Sequence, residues 1–320
     1  MESMLCRIFG SAGQKESTMT TGEITLLDGG MGRELKKRGA PFKQPEWSAQ
    51  AMMAAPEIVK EVHKAFIASG ASVITTNSYA LVPFHLGEKR FKDQGRNLAR
   101  SAGKTARAAV SETRPGIRVA GSIPPLFGSY RADLFQPDRV IEIARPLIEG
   151  LNPHADLWLC ETQSLIDEPL RIKSLIESLD MENRPFWVSF TLEDSRLHNE
   201  PILRSGESVV DAVEAMVDAK VDAILFNCCQ PEVIGPSLKT TRDLLASLDA
   251  KNIEIGAYAN AFPPQPKDAT ANEGLNELRT DLTPSSYLDW TRQWIQEGAT
   301  LIGGCCGIGP EHIAELSKKL

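Results

Sequence analysis

Histidine and cysteine are both scarce in this 320-residue chain, at five and six residues, and each scarcity narrows the available chemistry. His63, His85, His154, His198 and His312 are scattered, with neither the spacing of a histidine metal site nor a Ser-His-Asp arrangement. Six cysteines are too few to staple a chain of this length, which argues against a disulfide scaffold. No apolar segment approaches the roughly 20 residues that cross a bilayer. The opening residues, Met1 to Gly10, lack the apolar stretch of a signal peptide, so a cytoplasmic protein is expected. Lys and Arg number 35 against 42 Asp and Glu, a net charge of −7, and no basic run interrupts the balance. Such a surface repels phosphate backbones and anionic headgroups, so neither nucleic acid nor membrane is an expected partner. With 42% hydrophobic and 24% charged residues, the composition is that of an ordinary globular protein.

Residues 1–22 are polar and without apolar period, which reads as a disordered extension ahead of a single domain over 23–320. From there, short apolar runs of β type recur eight times, at 24–27, 72–75, 117–120, 156–159, 186–190, 223–226, 253–257 and 300–302. Helix-period segments lie between them, at 56–69, 93–111, 137–150, 164–179, 207–219, 234–248 and 284–297, with a last one after Pro310. Thr283 before Pro284 is a helix start, and Gly70 a stop. Eight alternating strand and helix units predict a parallel sheet closed into a (β/α)8 barrel of the TIM type, with a doubly wound open sheet as the alternative. Connections from helix to strand are short. Those from strand to helix are long at about 78–92, 122–136, 191–206 and 259–283, which is where barrel enzymes build their sites.

Four of the six cysteines form adjacent pairs just after predicted strands, as Asn227-Cys228-Cys229 and Gly303-Gly304-Cys305-Cys306-Gly307. In a barrel the ends of the sixth and eighth strands are near neighbours. Three or four thiolates converging there match the ligand preference of zinc, and a three-cysteine site keeps one position open for catalysis. The alternative is that the pairs are small core residues and a turn. The loop Asp28-Gly29-Gly30-Met31-Gly32 follows the first strand; its glycines allow backbone to approach a ligand and Asp28 can accept from an amine, or the segment is only a tight turn. No Lys-Ser/Thr follows, which excludes a phosphate loop. Glu161, after the fourth strand, is a partner for a cationic group or a rim ion pair. Trp47 and Tyr79 lie on or near rim loops, where aromatic faces attract methylated onium cations or merely plug the loop.

Taken together, Leu27-Asp28-Gly29-Gly30-Met31-Gly32, Thr75-Thr76-Asn77-Ser78-Tyr79, Cys160-Glu161-Thr162, Asn227-Cys228-Cys229-Gln230-Pro231 and Gly303-Gly304-Cys305-Cys306-Gly307 resemble the homocysteine S-methyltransferase family over about residues 23–320. The resemblance implies catalytic Zn2+ held by Cys305, Cys306 and Cys228, with Cys229 a neighbour. It implies Asp28, Gly29 and Glu161 at the amino-acid end of homocysteine, Asn227 in the substrate site, and Trp47 and Tyr79 near the methyl donor. Zinc would supply homocysteine as a thiolate that attacks the donor's methyl carbon in line, giving methionine without a general base.

Thr162 stands where betaine-using relatives carry tyrosine, and the C-terminal arm of those relatives is missing. Both favour S-methylmethionine or S-adenosylmethionine as donor, and the missing arm points to a monomer. Gly307-Ile308-Gly309-Pro310 is closer to the betaine pattern, which keeps a betaine-type donor or a different thiol acceptor as alternatives. Two other function classes fit the cysteines: a zinc- or thiol-holding barrel that binds small molecules without transferring methyl groups, and a redox protein using Cys305 and Cys306.

Overall fold

The computed structural model of the chain describes residues 23–196, 198, 200–265 and 277–320. The extension expected at 1–22 lies outside the described residues. Eight strands follow one another: β1 (Thr25–Leu26), β2 (Val73–Thr75), β3 (Arg118–Ile123), β4 (Leu157–Gln163), β5 (Phe186–Phe190), β6 (Ala223–Asn227), β7 (Glu254–Tyr258) and β8 (Leu301–Ile302). All pair in parallel in the order β1-β8-β7-β6-β5-β4-β3-β2. The ring closes between β1 and β2 through a parallel bridge from Leu27 to Val73 and a 2.8 Å bond from Ser72 N–H to the Leu26 carbonyl. The expected (β/α)8 barrel is the observed architecture.

Strands buried on both faces need apolar residues throughout, as in Phe186–Phe190, where all five are buried. Side-chain alternation divides them into two layers. Leu27, Val73, Ala120, Leu157, Leu159, Trp187, Ala223, Leu225 and Leu301 form an inner cluster with Tyr258, separate from the larger shell between sheet and helices. Two residues beyond the inward Leu159 comes Glu161; beyond Leu225 comes Asn227; beyond Ala120, Ser122; beyond Trp187, Ser189; beyond Val73, Thr75. The inward positions therefore change from apolar to polar at the carboxyl end of the barrel, which sets the floor of a site there.

The principal helices are Pro56–Ala68, Glu88–Ser111, Val140–Leu151, Asp167–Leu179, Val209–Asp218, Pro231–Ser247, Pro284–Gln296 and Pro310–Lys319. Two of their starts carry side-chain caps: Thr283 accepts from Ser286 N–H ahead of Pro284, and Ser208 accepts from Asp211 N–H. Two boundaries differ most from expectation. β4 continues to Gln163, so Glu161 lies within a strand rather than after it, and one helix begins at Glu88, directly after Gly87 with a φ of 78°. Short helices Met31–Lys37, Ser48–Ala54 and Pro83–Leu86 occupy rim segments that are too short to display a period. Among the described residues no helix is long and apolar enough to cross a membrane.

Candidate active site

Three of the predicted thiols meet at the carboxyl end of the barrel. The sulfurs of Cys228, Cys305 and Cys306 all lie within 4.8 Å of one another, against about 3.8 Å for sulfurs sharing a tetrahedral zinc with 2.3 Å bonds. Cys228 adopts a φ of 54°, in the left-handed region, and this turn sends it toward the cavity while Cys229 enters the apolar shell with no exposure. Of the two, Cys228 is the one whose sulfur the fold brings beside Cys305 and Cys306. Hydrogen bonds from the Cys305 and Cys306 thiols hold Cys228 well below the ordinary thiol range, and both donors are pushed up in turn. Burial pushes the Cys229 thiol up. Three close sulfurs, one of them favoured as thiolate by its neighbours, are the donor set a soft dication would complete.

The backbone fixes this convergence. The loop after β7 is the common anchor: Cys305 N–H donates to Ala259 O at 2.9 Å, Ala261 N–H to Cys306 O at 2.8 Å and Cys228 N–H to Tyr258 O at 3.3 Å. On the other side Gly30 N–H donates to Ile308 O and Gly304 N–H to Asp28 O, each at 2.9 Å. A Cβ on Gly29 would stand 2.3 Å from the Ile308 carbonyl oxygen, and one on Gly30 2.5 Å from that of Cys305. The glycines are therefore required by the close approach of the first loop to the cysteine loop, besides any contact with a ligand.

Asp28 and Glu161 line the same cavity, which encloses about 370 Å³ together with the three cysteines. Asp28 accepts from Thr75 N–H at 2.8 Å and Thr75 Oγ1 at 3.0 Å, yet burial still raises it to about 7. Glu161 accepts from Ser122 Oγ and is raised to about 8, chiefly by burial, with the charges of Asp28 and Cys228 adding to it. Two buried carboxyls thus face one cavity with no Lys or Arg among its described lining residues, an arrangement that an ammonium could complete.

Trp47 and Tyr79 both line the cavity. Trp47 packs edge-on to Phe42 with ring centroids 5.3 Å apart, and the Tyr79 hydroxyl is 2.6 Å from Ser129 Oγ. Asn227 does not line it. The side chain has no exposure, its Oδ1 accepts from Ser189 Oγ at 2.7 Å and Thr162 N–H at 3.0 Å, and its Nδ2 donates to Thr162 Oγ1 at 2.8 Å. Asn227 thus ties the ends of β4 and β6 together beneath the site. Phe42, Phe262, Tyr130 and Tyr258 also line the cavity, and of these Phe42 and Tyr130 were not singled out by the sequence. The unusual length of the loop after β3 was the sequence's pointer to Tyr130.

The homocysteine S-methyltransferase family model matches residues 25–320. The homocysteine S-methyltransferase of Escherichia coli (strain K12) is 30% identical over 316 residues, covering 93% of this chain and 95% of that protein. The selenocysteine methyltransferase of Astragalus bisulcatus is 29% identical over 336 aligned positions, 93% of each chain. Among solved structures, the metallated form of the Escherichia coli homocysteine methyltransferase superposes with a TM-score of 0.74 at 28% identity, covering 93% of this chain and 97% of that one.

Proposed function

The chain belongs to the homocysteine S-methyltransferase family, and from that premise we propose that it moves a methyl group from a small onium donor to the thiol of homocysteine, giving methionine, with Zn2+ held by Cys228, Cys305 and Cys306. It is a methyltransferase of that family. The observation that carries the proposal is the convergence of three thiols and two unpaired buried carboxyls on one cavity.

Asp28 and Glu161 receive the α-ammonium of the acceptor. Thr75 orients the first and Ser122 the second, so neither has to be reorganised on binding. An ammonium between them favours their ionised forms, which burial otherwise opposes. Gly29 belongs to the same end of the site. Cys228, Cys305 and Cys306 would hold Zn2+, which when bound would favour a substrate thiol as thiolate at neutral pH. The donor's onium charge is met by the faces of Trp47, Tyr79, Phe42 and Phe262 and by the negative sign of the cavity. S-methylmethionine or S-adenosylmethionine is favoured over betaine, because Thr162 is locked by Asn227 and presents no phenol beside Glu161. The donor departs as a neutral molecule, so no side chain has to deliver a proton to it.

The relative named selenocysteine methyltransferase makes selenocysteine a second acceptor to assay. The direct test is mass-spectrometric detection of methyl transfer with zinc-loaded protein, homocysteine or selenocysteine as acceptor, and S-methylmethionine, S-adenosylmethionine and betaine as donors. Methionine from a sulfonium donor is expected; transfer from betaine alone corrects the donor, and no transfer in any combination contradicts the proposal.

A further inference from the structure

Tyr130 stands on the loop after β3 with a φ of 68°, a conformation that a bulky residue keeps only when its surroundings impose it. Its Oη lies 2.9 Å from Cys228 Sγ and 3.3 Å from the Cys228 carbonyl oxygen. The Arg204 guanidinium covers its ring, 4.8 Å from the centroid. Arg204 is ion-paired to Asp194 at 2.7 Å with neither side chain exposed, and donates to Gln265 O at 3.3 Å. Asp194 also accepts from Gln230 N–H at 3.1 Å and Gln265 N–H at 3.3 Å, which ties the pair to the segment that follows Cys228. From the other direction Glu168 accepts from Leu126 N–H at 2.6 Å and pins the start of the loop that carries Tyr130.

A buried ion pair is costly to desolvate and contributes little net stability by itself. Here its rigid partners fix one aromatic ring against one sulfur. We propose that Tyr130, clamped by the Arg204–Asp194 pair, is the hydrogen-bond donor that keeps Cys228 a metal ligand rather than a methyl acceptor. The inference rests on the metal and onium reading given under Proposed function.

An onium donor beside three thiolates has more than one nucleophile within reach. In the unwanted reaction the Cys228 thiolate forms a bond to the methyl carbon, the donor's carbon–sulfur bond breaks with its electron pair staying on sulfur, and a neutral sulfide leaves. An O–H directed at Cys228 Sγ withdraws charge from that sulfur and slows this step, and Asn260 Nδ2, 3.8 Å from the same sulfur, points the same way. Arg204 and Asp194 are positioning residues that act through Tyr130.

The test uses Tyr130→Phe, which keeps the ring and its stacking and removes only the hydroxyl. The cobalt(II)-loaded variant is expected to show its thiolate-to-cobalt absorption at lower energy than the wild type, because an unbonded sulfur gives up charge more readily. Zinc-loaded variant incubated with S-methylmethionine or S-adenosylmethionine and no acceptor is expected to gain one methyl on the Cys228 peptide roughly tenfold faster than wild type, the size of one lost hydrogen bond to a charged group. Asp194→Asn combined with Arg204→Gln leaves no lone buried charge and is expected to move the cobalt band in the same direction. Cobalt uptake with an unmoved band and unchanged Cys228 methylation in Tyr130→Phe overturns this inference alone, as does methylation confined to Cys305 or Cys306. A wild type that takes up neither zinc nor cobalt overturns the metal reading and the inference with it.

Discussion

Replacing Glu161 by Gln separates what the side chain does for the ligand from what it does to the fold. Burial raises this carboxyl from 4.5 to about 8, with Asp28 and Cys228 adding to the effect. Between those values the folded chain keeps a proton that the unfolded chain gives up, so this group's contribution to stability falls as pH rises through that window. At about 1.4 kcal/mol per pH unit, the loss between pH 4.5 and pH 7 is about 3 kcal/mol. Glutamine has no such proton to keep and its amide oxygen still accepts from Ser122 Oγ. The ligand-free, metal-loaded Glu161→Gln protein is therefore expected to melt about 2–5 °C higher at pH 7, with a flatter dependence of Tm on pH. The same change removes a charged acceptor from the ammonium site. Losing one hydrogen bond between charged groups raises KM for homocysteine roughly ten- to a hundredfold. Differential scanning fluorimetry from pH 5 to 8 and initial rates against homocysteine read the two effects separately. A Tm that falls by several degrees with an unchanged KM would refute the reasoning, since Glu161 would then be a wall residue held by its own contacts.

Three further outcomes follow from the geometry. Cys228→Ala is expected to abolish metal uptake, whereas Cys229→Ala keeps one metal per chain and costs about 1–2 kcal/mol in urea unfolding from the small cavity it leaves; equal metal loss in both would return the third position to the pair. Asn227→Ala strands the Ser189 hydroxyl and the Thr162 amide, so it is expected to destabilise by about 2–3 kcal/mol and to lower kcat with the acceptor KM nearly unchanged; a KM effect without destabilisation would make Asn227 a substrate contact. Asp28 and Glu161, raised to about 7 and 8, are largely protonated at pH 6.5 and must ionise to pair with an ammonium. Methionine, which has no thiol to titrate, is expected to release about one to two protons on binding at pH 6.5 and to bind more tightly as pH rises to 8, in calorimetry across buffers of differing ionisation enthalpy; proton release of zero would contradict the ammonium site.

The barrel was legible because its signals are local and repeated: short runs of strand-forming residues, helical periods between them, and long loops at one end only. The thiol site was legible for a related reason, since both cysteine pairs directly follow strands that are near neighbours in a closed barrel. What distinguishes Cys228 from Cys229 is a single left-handed φ, which no spacing encodes. Asn227 sits in the motif beside a ligand, yet its inward position two residues beyond Leu225 places it under the cavity, where its amide oxygen and nitrogen are both engaged by β4 and β5. The glycines after β1 were read as a ligand loop or a tight turn; their missing side chains answer first to Ile308 and Cys305 across the barrel seam, a contact nearly 280 residues away in sequence that only closure brings about. Tyr130 escaped notice because the Arg204–Asp194 pair that packs on its ring reaches it from a different loop.

The most direct test of zinc-dependent transfer is metal content and turnover measured together on reduced protein, before and after chelation and after zinc is restored. One zinc per chain, absent from Cys305→Ala, with methionine formation from a sulfonium donor lost on chelation and recovered on reloading, is the predicted result. Full activity in zinc-free protein, or one bound zinc whose removal leaves the rate unchanged, would contradict it.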